Sequence, residues 1–561
     1  MITKMRLLRW GWILTATWCV LFLIRVLLFA NEFGSLSHDG GWISGVSRGI
    51  AEYGKYVTYT NTSIADEPGA VGSIHGRSVV QDQEGLTYFS AGVTVGPGFT
   101  FPSAIFVKMF GPGYWGFRAW PIIGFIGLVF VLSQLSYFLG GGLGNILMMG
   151  WFWLIPRMYM QTAYEAYGET VAIALVLASG FVLFDREGRP RNSFRRNFAA
   201  GVVLAFAILT KLLMSLSTGI FVFAFALEML RRKRVLAVLK PAAGFAAGVT
   251  TPALLYEAYR YLYLLNKFGH KAWQMNNEDY RLTFISGGSG FGVHNAWEKI
   301  LAKLTLFQVI GPTNWMVVWP VALLLPVPFF LLRETRKRLP ALYLWCGVMG
   351  YGIWFIFFSV SLFSRHVMQI MLCFMLLLSC ALASVLSEVI RGPVTRRAIA
   401  LAGSVVLGWG ALVGTSNAQY FDAPMKFSWD YLMTNWYQGA PHWDGMQRFP
   451  PFEMIPLPDQ KEVVEFIDKH LPEDAQLFYL EGLLVAELPP LVGKVFYPYW
   501  RIKRLHDTSH PHYVIFGGFQ RPQWPWTVVD PDYIQRETMK FCARTVFDNP
   551  TYLICEAKEG V

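Results

Sequence analysis

Residues Trp10–Ala30 read WGWILTATWCVLFLIRVLLFA, and the chain then turns polar through Asn31-Glu32 to Ser37-His38-Asp39-Gly40-Gly41. A helix needs roughly 20 apolar residues to cross a bilayer core, and this run is long enough. Lys4, Arg6 and Arg9 precede it. A cleaved signal peptide has a shorter core that ends in small residues, so a retained signal anchor is expected here. Asp39 then stands at the outer mouth of the first span, where acid–base chemistry can meet the membrane–water boundary.

Runs of the same kind recur along the chain. With 54% hydrophobic and 16% aromatic residues and a mean hydropathy of +0.37, the composition excludes a soluble enzyme of this length. The alternating strands of an outer-membrane barrel are absent. The fold class is therefore a polytopic α-helical membrane protein. Its net charge of +11 lies in short clusters between apolar runs, which is a topology signal and not a nucleic-acid surface. Of the six cysteines, Cys19, Cys346, Cys373 and Cys380 fall in apolar runs as small core residues. Cys542 and Cys555 lie in the polar tail, where pairing depends on the compartment.

Basic clusters at the N-terminus, Arg186–Arg196, Arg231–Arg234, Arg333–Arg338 and Arg391–Arg397 mark cytoplasmic segments under the positive-inside rule. Segment 31–95 has three basic residues, Arg48, Lys55 and Arg77, against seven acidic ones, as expected outside. Each cytoplasmic cluster must be separated from the next by an even number of spans. That parity gives eleven: 10–30, 115–138, 144–162, 169–184, 198–212, 214–230, 240–262, 306–332, 339–361, 367–390 and 398–416. The apolar piece 99–110 breaks parity and is taken as re-entrant or interfacial. The pair 198–212 and 214–230 is short, yet the chain must go out and return, which puts Lys211 near the outer turn.

Two domains are expected, a transmembrane one over 1–416, with 31–114 as a first outer loop carrying interfacial helices, and an extracytoplasmic α/β domain over 417–561. In the latter, Lys461–Leu471 reads as an amphipathic helix stopped by Pro472. Leu477–Leu480 and Tyr513–Phe516 read as strands. The segment Lys267–Lys303, with Ser286-Gly287-Gly288-Ser289-Gly290, reads as a mobile outer loop, either a cover for a site or a plain connector.

Ionisable residues at membrane depth are costly and so are functional candidates. Asp39 opens an amphipathic run with Trp42, Ile43, Val46, Ile50 and Tyr53 at helical spacing, and is either an N-cap, a catalytic carboxylate or both. Glu165 and Glu169 are four apart, which on one helix puts both on one face; pairing of one with Arg157 is the structural alternative. Lys211 interrupts an apolar stretch and suits either an anionic head group or an ion pair with a glutamate. Arg365 and His366 stand at the outer junction of two spans, and arginine's fork of donors matches phosphate oxygens. The alternative for Arg365 is an interfacial anchor. Arg25 in the first span is expected to be paired or to snorkel. Under the charge-parity topology, the Asp39, Glu165, Glu169, Lys211, Arg365 and His366 positions all fall on one side of the membrane.

In order and spacing, Ser37-His38-Asp39-Gly40-Gly41, Arg48–Gly54, Thr94-Val95-Gly96-Pro97, Phe110-Gly111-Pro112, Phe117-Arg118, Tyr167-Gly168-Glu169, Leu209-Thr210-Lys211 and Ser364-Arg365-His366 form a pattern. Over residues 10–416 it resembles the C superfamily of membrane glycosyltransferases (GT-C), in the branch of protein O-mannosyltransferases and the lipid A aminoarabinose transferase. That family carries a second acid where this chain has Gly40, and often a tyrosine where it has His366.

The resemblance implies a glycosyltransferase that moves a hexosyl or pentosyl unit from a polyprenyl-phosphate donor to an extracytoplasmic lipid, glycan or protein acceptor. Asp39 would be the general base of an inverting displacement. Arg365, His366 and Lys211 would face the donor phosphate, and Glu165, Glu169 and His38 the substrate. No cofactor is firmly implied, a divalent cation is compatible with the reading, and no carboxylate cluster with clear ligand spacing lies near Asp39. A transporter or flippase for an anionic polyprenyl-linked lipid is the alternative, although such proteins usually show repeated halves and none is found here. A scaffold with a vestigial site is the third reading. The expected location is a multi-pass position in a cell membrane, with a bacterial inner membrane suggested by the basic loops.

Overall fold

The computed structural model describes residues 2–32, 34–60, 71–74, 77–82, 85–88, 95–154, 156–232, 235–286, 322–331, 337–358, 368–391, 394, 455–479, 486–498, 510–517 and 540–558. Among them, six helices are long and apolar enough to cross a membrane: Trp10–Glu32, Tyr114–Trp153, Leu212–Arg232, Val238–Phe268, Arg338–Phe357 and Met368–Ile390. Glu169–Leu183 is a shorter apolar helix. The chain is a multi-pass membrane protein. Of the eleven expected spans, 398–416 and the first part of 306–332 lie outside the described residues.

Helix α1 (Ile2–Glu32) carries the first apolar run. Its Arg25 is buried, donates to the Trp153 carbonyl and to Tyr159 Oη at 3.1 Å, and lies 4.5 Å from the Trp153 ring centroid. It is therefore paired inside the protein and does not snorkel. α2 (His38–Tyr53) and α3 (Pro97–Phe110) follow. The apolar residues of α2 form a stripe, and Trp42, Ile43 and Val46 are buried while Tyr53 is exposed.

α4 (Tyr114–Leu154) has 41 residues. A straight helix of that length would reach about 60 Å, twice the bilayer core. The chain instead reverses at Gly141, whose φ of 68° and ψ of −161° are not helical. Asn145 Nδ2 consequently reaches back to the Ser133 carbonyl at 2.8 Å and to Ser136 Oγ at 3.2 Å. α5 (Pro156–Tyr164) and α6 (Glu169–Leu183) continue from the second arm. α7 (Phe194–Thr210) and α8 (Ser217–Arg232) form another hairpin, joined by Lys211 and a 3-10 turn, Leu212–Leu216. The turn at Lys211 is where charge parity puts it.

Two expectations need correction. The span read over 240–262 is part of a longer helix, α9 (Val235–Phe268), and the segment read as a loop from Lys267 is helical again as α10 (His270–Ser286). The sequence there is polar, so a span-seeking reading passes over it. The buried Arg260 of α9 holds the two together through Asn276 and Asn277 of α10. Residues 287–303 lie outside the described residues.

The segment after α2 also contains a small antiparallel sheet with order β1-β4-β3-β2, built from β1 (Val57–Thr58), β2 (Val71–Ile74), β3 (Arg77–Gln81) and β4 (Thr87–Tyr88). Strands of two to five residues leave no readable alternation. The sheet shares one apolar core with α2 and α3, including Trp42, Val46, Tyr56, Val80, Tyr88 and Phe99.

Near the C-terminus the helix Leu457–His470 packs on a five-stranded mixed sheet, order β6-β5-β7-β9-β8. The strands are β5 (Gln476–Tyr479), β6 (Phe496–Pro498), β7 (His512–Phe516), β8 (Cys542–Asp548) and β9 (Leu553–Ala557). β5 is parallel to β6 and β7, and β9 runs antiparallel to β7 and β8. Val463, Ile467, Leu477, Phe496, Ile515 and Ile554 form the core between helix and sheet. The backbone of β6 also reaches the segment after α2, where the Phe496 amide donates to the Tyr59 carbonyl at 3.0 Å.

Cys542 and Cys555 are joined by a disulfide across 13 residues. A loop of that size gives roughly 2–4 kcal/mol of stabilisation. We expect the double substitution Cys542→Ser with Cys555→Ser to lower the stability of this sheet by that amount. Thiol labelling of the denatured, non-reduced chain checks the bridge: these two cysteines should react only after reduction.

Candidate active site

Ser37 begins the site by ending an extended loop. Its backbone is extended, and its hydroxyl accepts the Gly40 amide at 3.1 Å, which caps α2. The N-cap is thus Ser37 and not Asp39. Asp39 sits in the first turn of α2, half-buried, where the positive end of the helix dipole favours a carboxylate. The side chain of His38 lies outside the described residues.

The same Ser37 hydroxyl donates to Glu165, and the Ser37 amide donates to Glu165 Oε2 at 3.1 Å. Tyr167 Oη lies 2.6 Å from Ser37 Oγ. Gln161 Nε2 closes the network, at 3.0 Å from both Glu165 Oε1 and Tyr167 Oη. Ser37 then uses its one donor on Glu165 and accepts from Gly40 and Tyr167, which fills a hydroxyl's capacity. Glu165 is buried, and burial pushes its carboxyl up to about 7, against the opposing pull of Ser37, Gln161 and Arg118.

Two glycines make room for this arrangement. A Cβ on Gly40 would fall 2.4 Å from Glu165 Oε2. On Gly41 it would fall 2.3 Å from the Ala486 carbonyl oxygen and 2.5 Å from Glu487 Cα. The position at which the resembled family carries a second acid is therefore the position against which Glu165 packs its own carboxylate.

Glu165 and Glu169 do not share a helix face. Gly168 adopts φ 78° between them, so α5 and its final turn end there and α6 starts afresh at Glu169. Glu169 is buried and forms an ion pair with Lys211, which also donates to the Tyr167 carbonyl at 3.2 Å. The glutamate partner that the sequence left open for Lys211 is Glu169. Val95-Gly96-Pro97 packs beside this pair, with the Gly96 amide donating to the Thr210 carbonyl at 2.9 Å. Asp39, Glu165, Glu169 and Lys211 are thereby linked through Ser37 and Tyr167 into one neighbourhood. Arg365 and His366 lie outside the described residues. Among the described residues, no three or more His, Cys, Asp or Glu side chains gather as a metal site.

Sequence reasoning assigned no role to Ser37, Gln161, Tyr167, Arg118 or Gln460. Arg118, in the first turns of α4, is fully buried, with its guanidinium 4.9 Å from the Tyr114 ring and 5.9 Å from the Tyr164 ring. An arginine opening an apolar span was the available signal. Gln460, from the C-terminal helix, is fully buried and grips the backbone of Leu36 twice: its Oε1 accepts the Leu36 amide at 2.8 Å and its Nε2 donates to the Leu36 carbonyl at 2.9 Å. It holds the loop that ends at Ser37 and leads into Asp39. Glu487, beside Gly41, is buried, accepts from Tyr552 Oη at 3.1 Å, and is likewise pushed up to about 7 by burial.

These two carboxyls give a pH dependence with a fixed sign. An unfolded glutamate titrates near 4.5, so between that value and about 7 the folded state binds more protons. Their stabilisation is complete below about 4.5 and is lost as pH rises through 7, on the order of 3 kcal/mol for each group. Apparent unfolding temperatures of the purified chain should fall from pH 5 to pH 8 by more than those of Glu165→Gln or Glu487→Gln. Equal slopes in all three proteins would contradict this.

No family model matches the chain, and no curated protein matches it. Among solved structures it is similar to ArnT from Cupriavidus metallidurans bound to undecaprenyl phosphate, with 14% identity and a TM-score of 0.56 over 98% of each chain. The same protein in its apo state gives 14% identity and a TM-score of 0.53, over 98% of this chain and 97% of that one. The likeness is one of fold. The fold shared with this ArnT agrees with the fold that the resemblance in the sequence pattern implies.

Proposed function

We propose that this chain, which carries the GT-C fold, is a membrane glycosyltransferase that uses a polyprenyl-phosphate-linked sugar. The observation that carries the reading is the union of that fold with a half-buried Asp39 at the start of α2, fixed through Ser37 to a buried acid network. A solved relative in fold holds undecaprenyl phosphate, which supports a donor of that class.

In the proposed reaction the Asp39 carboxylate takes the proton of the acceptor hydroxyl or amine as that atom attacks the anomeric carbon. The bond from the anomeric carbon to the phosphate oxygen breaks, and its electron pair leaves with the polyprenyl phosphate. A single displacement inverts configuration, as with a base-activated nucleophile in inverting glycosidases. Arg365 and His366 offset the charge growing on the departing phosphate. Lys211 adds positive potential from a place fixed by Glu169, and Glu165, Glu169 and His38 face the sugar. The same reading puts the C-terminal helix-sheet domain on the extracytoplasmic side with Asp39; the grip of Gln460 on the loop before Asp39 and a disulfide suited to an oxidising compartment support it.

A screen of polyprenyl-phosphate sugars with the purified chain in liposomes tests this. Labelled sugar should appear on an acceptor. Donor movement across the bilayer without transfer would replace the reading with a flippase, and neither event with any donor would leave a scaffold.

A further inference from the structure

The far end of the helical frame carries a second built feature. Between α6, α8 and the helices Arg338–Ile353 and Met368–Arg391 runs an apolar crevice of about 250 Å³. α6 leaves the candidate site at Glu169 and extends 15 residues, so about 22 Å of helix separates that site from Leu183. Beyond Leu183 the chain makes an ordered turn. Phe184 bridges Pro190, the Asp185 amide donates to the Arg189 carbonyl at 2.9 Å, and the Arg191 amide donates to the Leu183 carbonyl at 2.9 Å.

This turn sets Arg186 and Arg191 at the mouth of the crevice. Asp185 also lines the crevice, with its Oδ1 accepting the Glu187 and Arg189 amides at 2.8 and 2.9 Å, and Arg189 pairs with Glu187 at 2.7 Å. Among the described residues, neither Arg186 nor Arg191 has an acidic partner within ion-pair distance. Three arginines against Asp185 and Glu187 leave the turn positive. Inside, Phe184 stacks on Tyr343 with ring centroids 4.9 Å apart, and the deep end is closed by Ser217 Oγ and Tyr351 Oη at 2.7 Å.

We infer that the crevice holds an acyl chain of an anionic glycerophospholipid from the leaflet opposite the candidate site, with the lipid phosphate seated on Arg186 and Arg191. The commitment to that occupant rests on charge complementarity at a fixed mouth. A tail that leaves the bilayer for an apolar wall gains little, because lipid tails are as apolar as the wall. Discrimination therefore has to come from the head group. Basic pockets between transmembrane helices bind anionic head groups, and arginine presents paired donors to phosphate oxygens. The site is independent of the sugar-transfer reading and stands or falls separately from it.

Native mass spectrometry of the purified full chain in mild detergent, titrated with phosphatidylglycerol or phosphatidylcholine, tests the inference. The wild-type chain should retain phosphatidylglycerol roughly ten-fold more tightly or better, as two basic residues at a membrane surface allow. R186Q/R191Q should lose that preference. Gly180→Leu, whose new side chain would enter the crevice where only the Phe184 ring stands near, should lose the tight adduct with both arginines present. Equal retention of the two lipids by the wild-type chain, or an unchanged preference in either variant, overturns the proposal. Should Gly180→Leu not fold, R186Q/R191Q decides alone.

Discussion

Asp39→Asn should lower sugar transfer by roughly two orders of magnitude or more, within the range of a positioned general base, while the folded protein should stay close to wild type. The two effects separate because Asp39 is not the helix cap. Ser37 caps α2, so the amide substitution leaves that hydrogen bond intact. A carboxylate near the positive end of α2 contributes about 0.3–1 kcal/mol to that helix. The loss should fall on kcat with little change in the KM for donor, because proton removal is an event of the transition state. Turnover of Asp39→Asn equal to wild type, with the donor screen positive, would take Asp39 out of the mechanism.

Lys211→Met is the substitution with the largest expected effect on folding. It leaves the Glu169 carboxylate buried without its cation. Breaking one side of a buried ion pair costs about 3–5 kcal/mol, whereas replacing both sides is often close to neutral. The double variant Lys211→Met with Glu169→Gln should therefore recover most of the apparent unfolding temperature lost by Lys211→Met. Activity of the recovered protein then reads the pair as a unit: an unchanged donor KM takes both Lys211 and Glu169 out of substrate binding, and a raised one keeps the pair there. A double variant no more stable than Lys211→Met would contradict the pairing itself.

The helical frame was legible because membrane burial writes long apolar runs and charge parity orders them. The Lys211 turn is the clearest case: a basic residue in an apolar stretch of 33 residues, bounded by basic clusters, had to lie at the reversal between α7 and α8. Charge parity also puts the acidic and basic candidates on one side; Glu169 meets Lys211, and Glu165 meets Ser37, two residues before Asp39.

Other features left weaker marks. Four-residue spacing suggested one face for Glu165 and Glu169, but a left-handed Gly168 between them cancels helical periodicity, and a glycine's φ is not written in its neighbours. The β1–β4 sheet has strands too short to alternate. α10 is polar, and so looked like a connector after a span. The Gln460 grip on Leu36 joins positions 424 residues apart through a single side chain, for which no local pattern exists. Gly40 and Gly41 looked like a departure from a family motif, yet their missing side chains are what admit Glu165 and the Ala486–Glu487 backbone.

The convergence of Asp39 with the Arg365–His366 pair at one sugar phosphate is the claim on which the mechanism depends. It can be measured with Asp39→Cys and Arg365→Cys in a chain whose Cys19, Cys346, Cys373 and Cys380 are replaced, using a membrane-impermeant maleimide and a short bismaleimide cross-linker on sealed vesicles. Labelling of both positions from the same face, with an intramolecular cross-link between them, is the predicted result. Labelling from opposite faces would contradict the account.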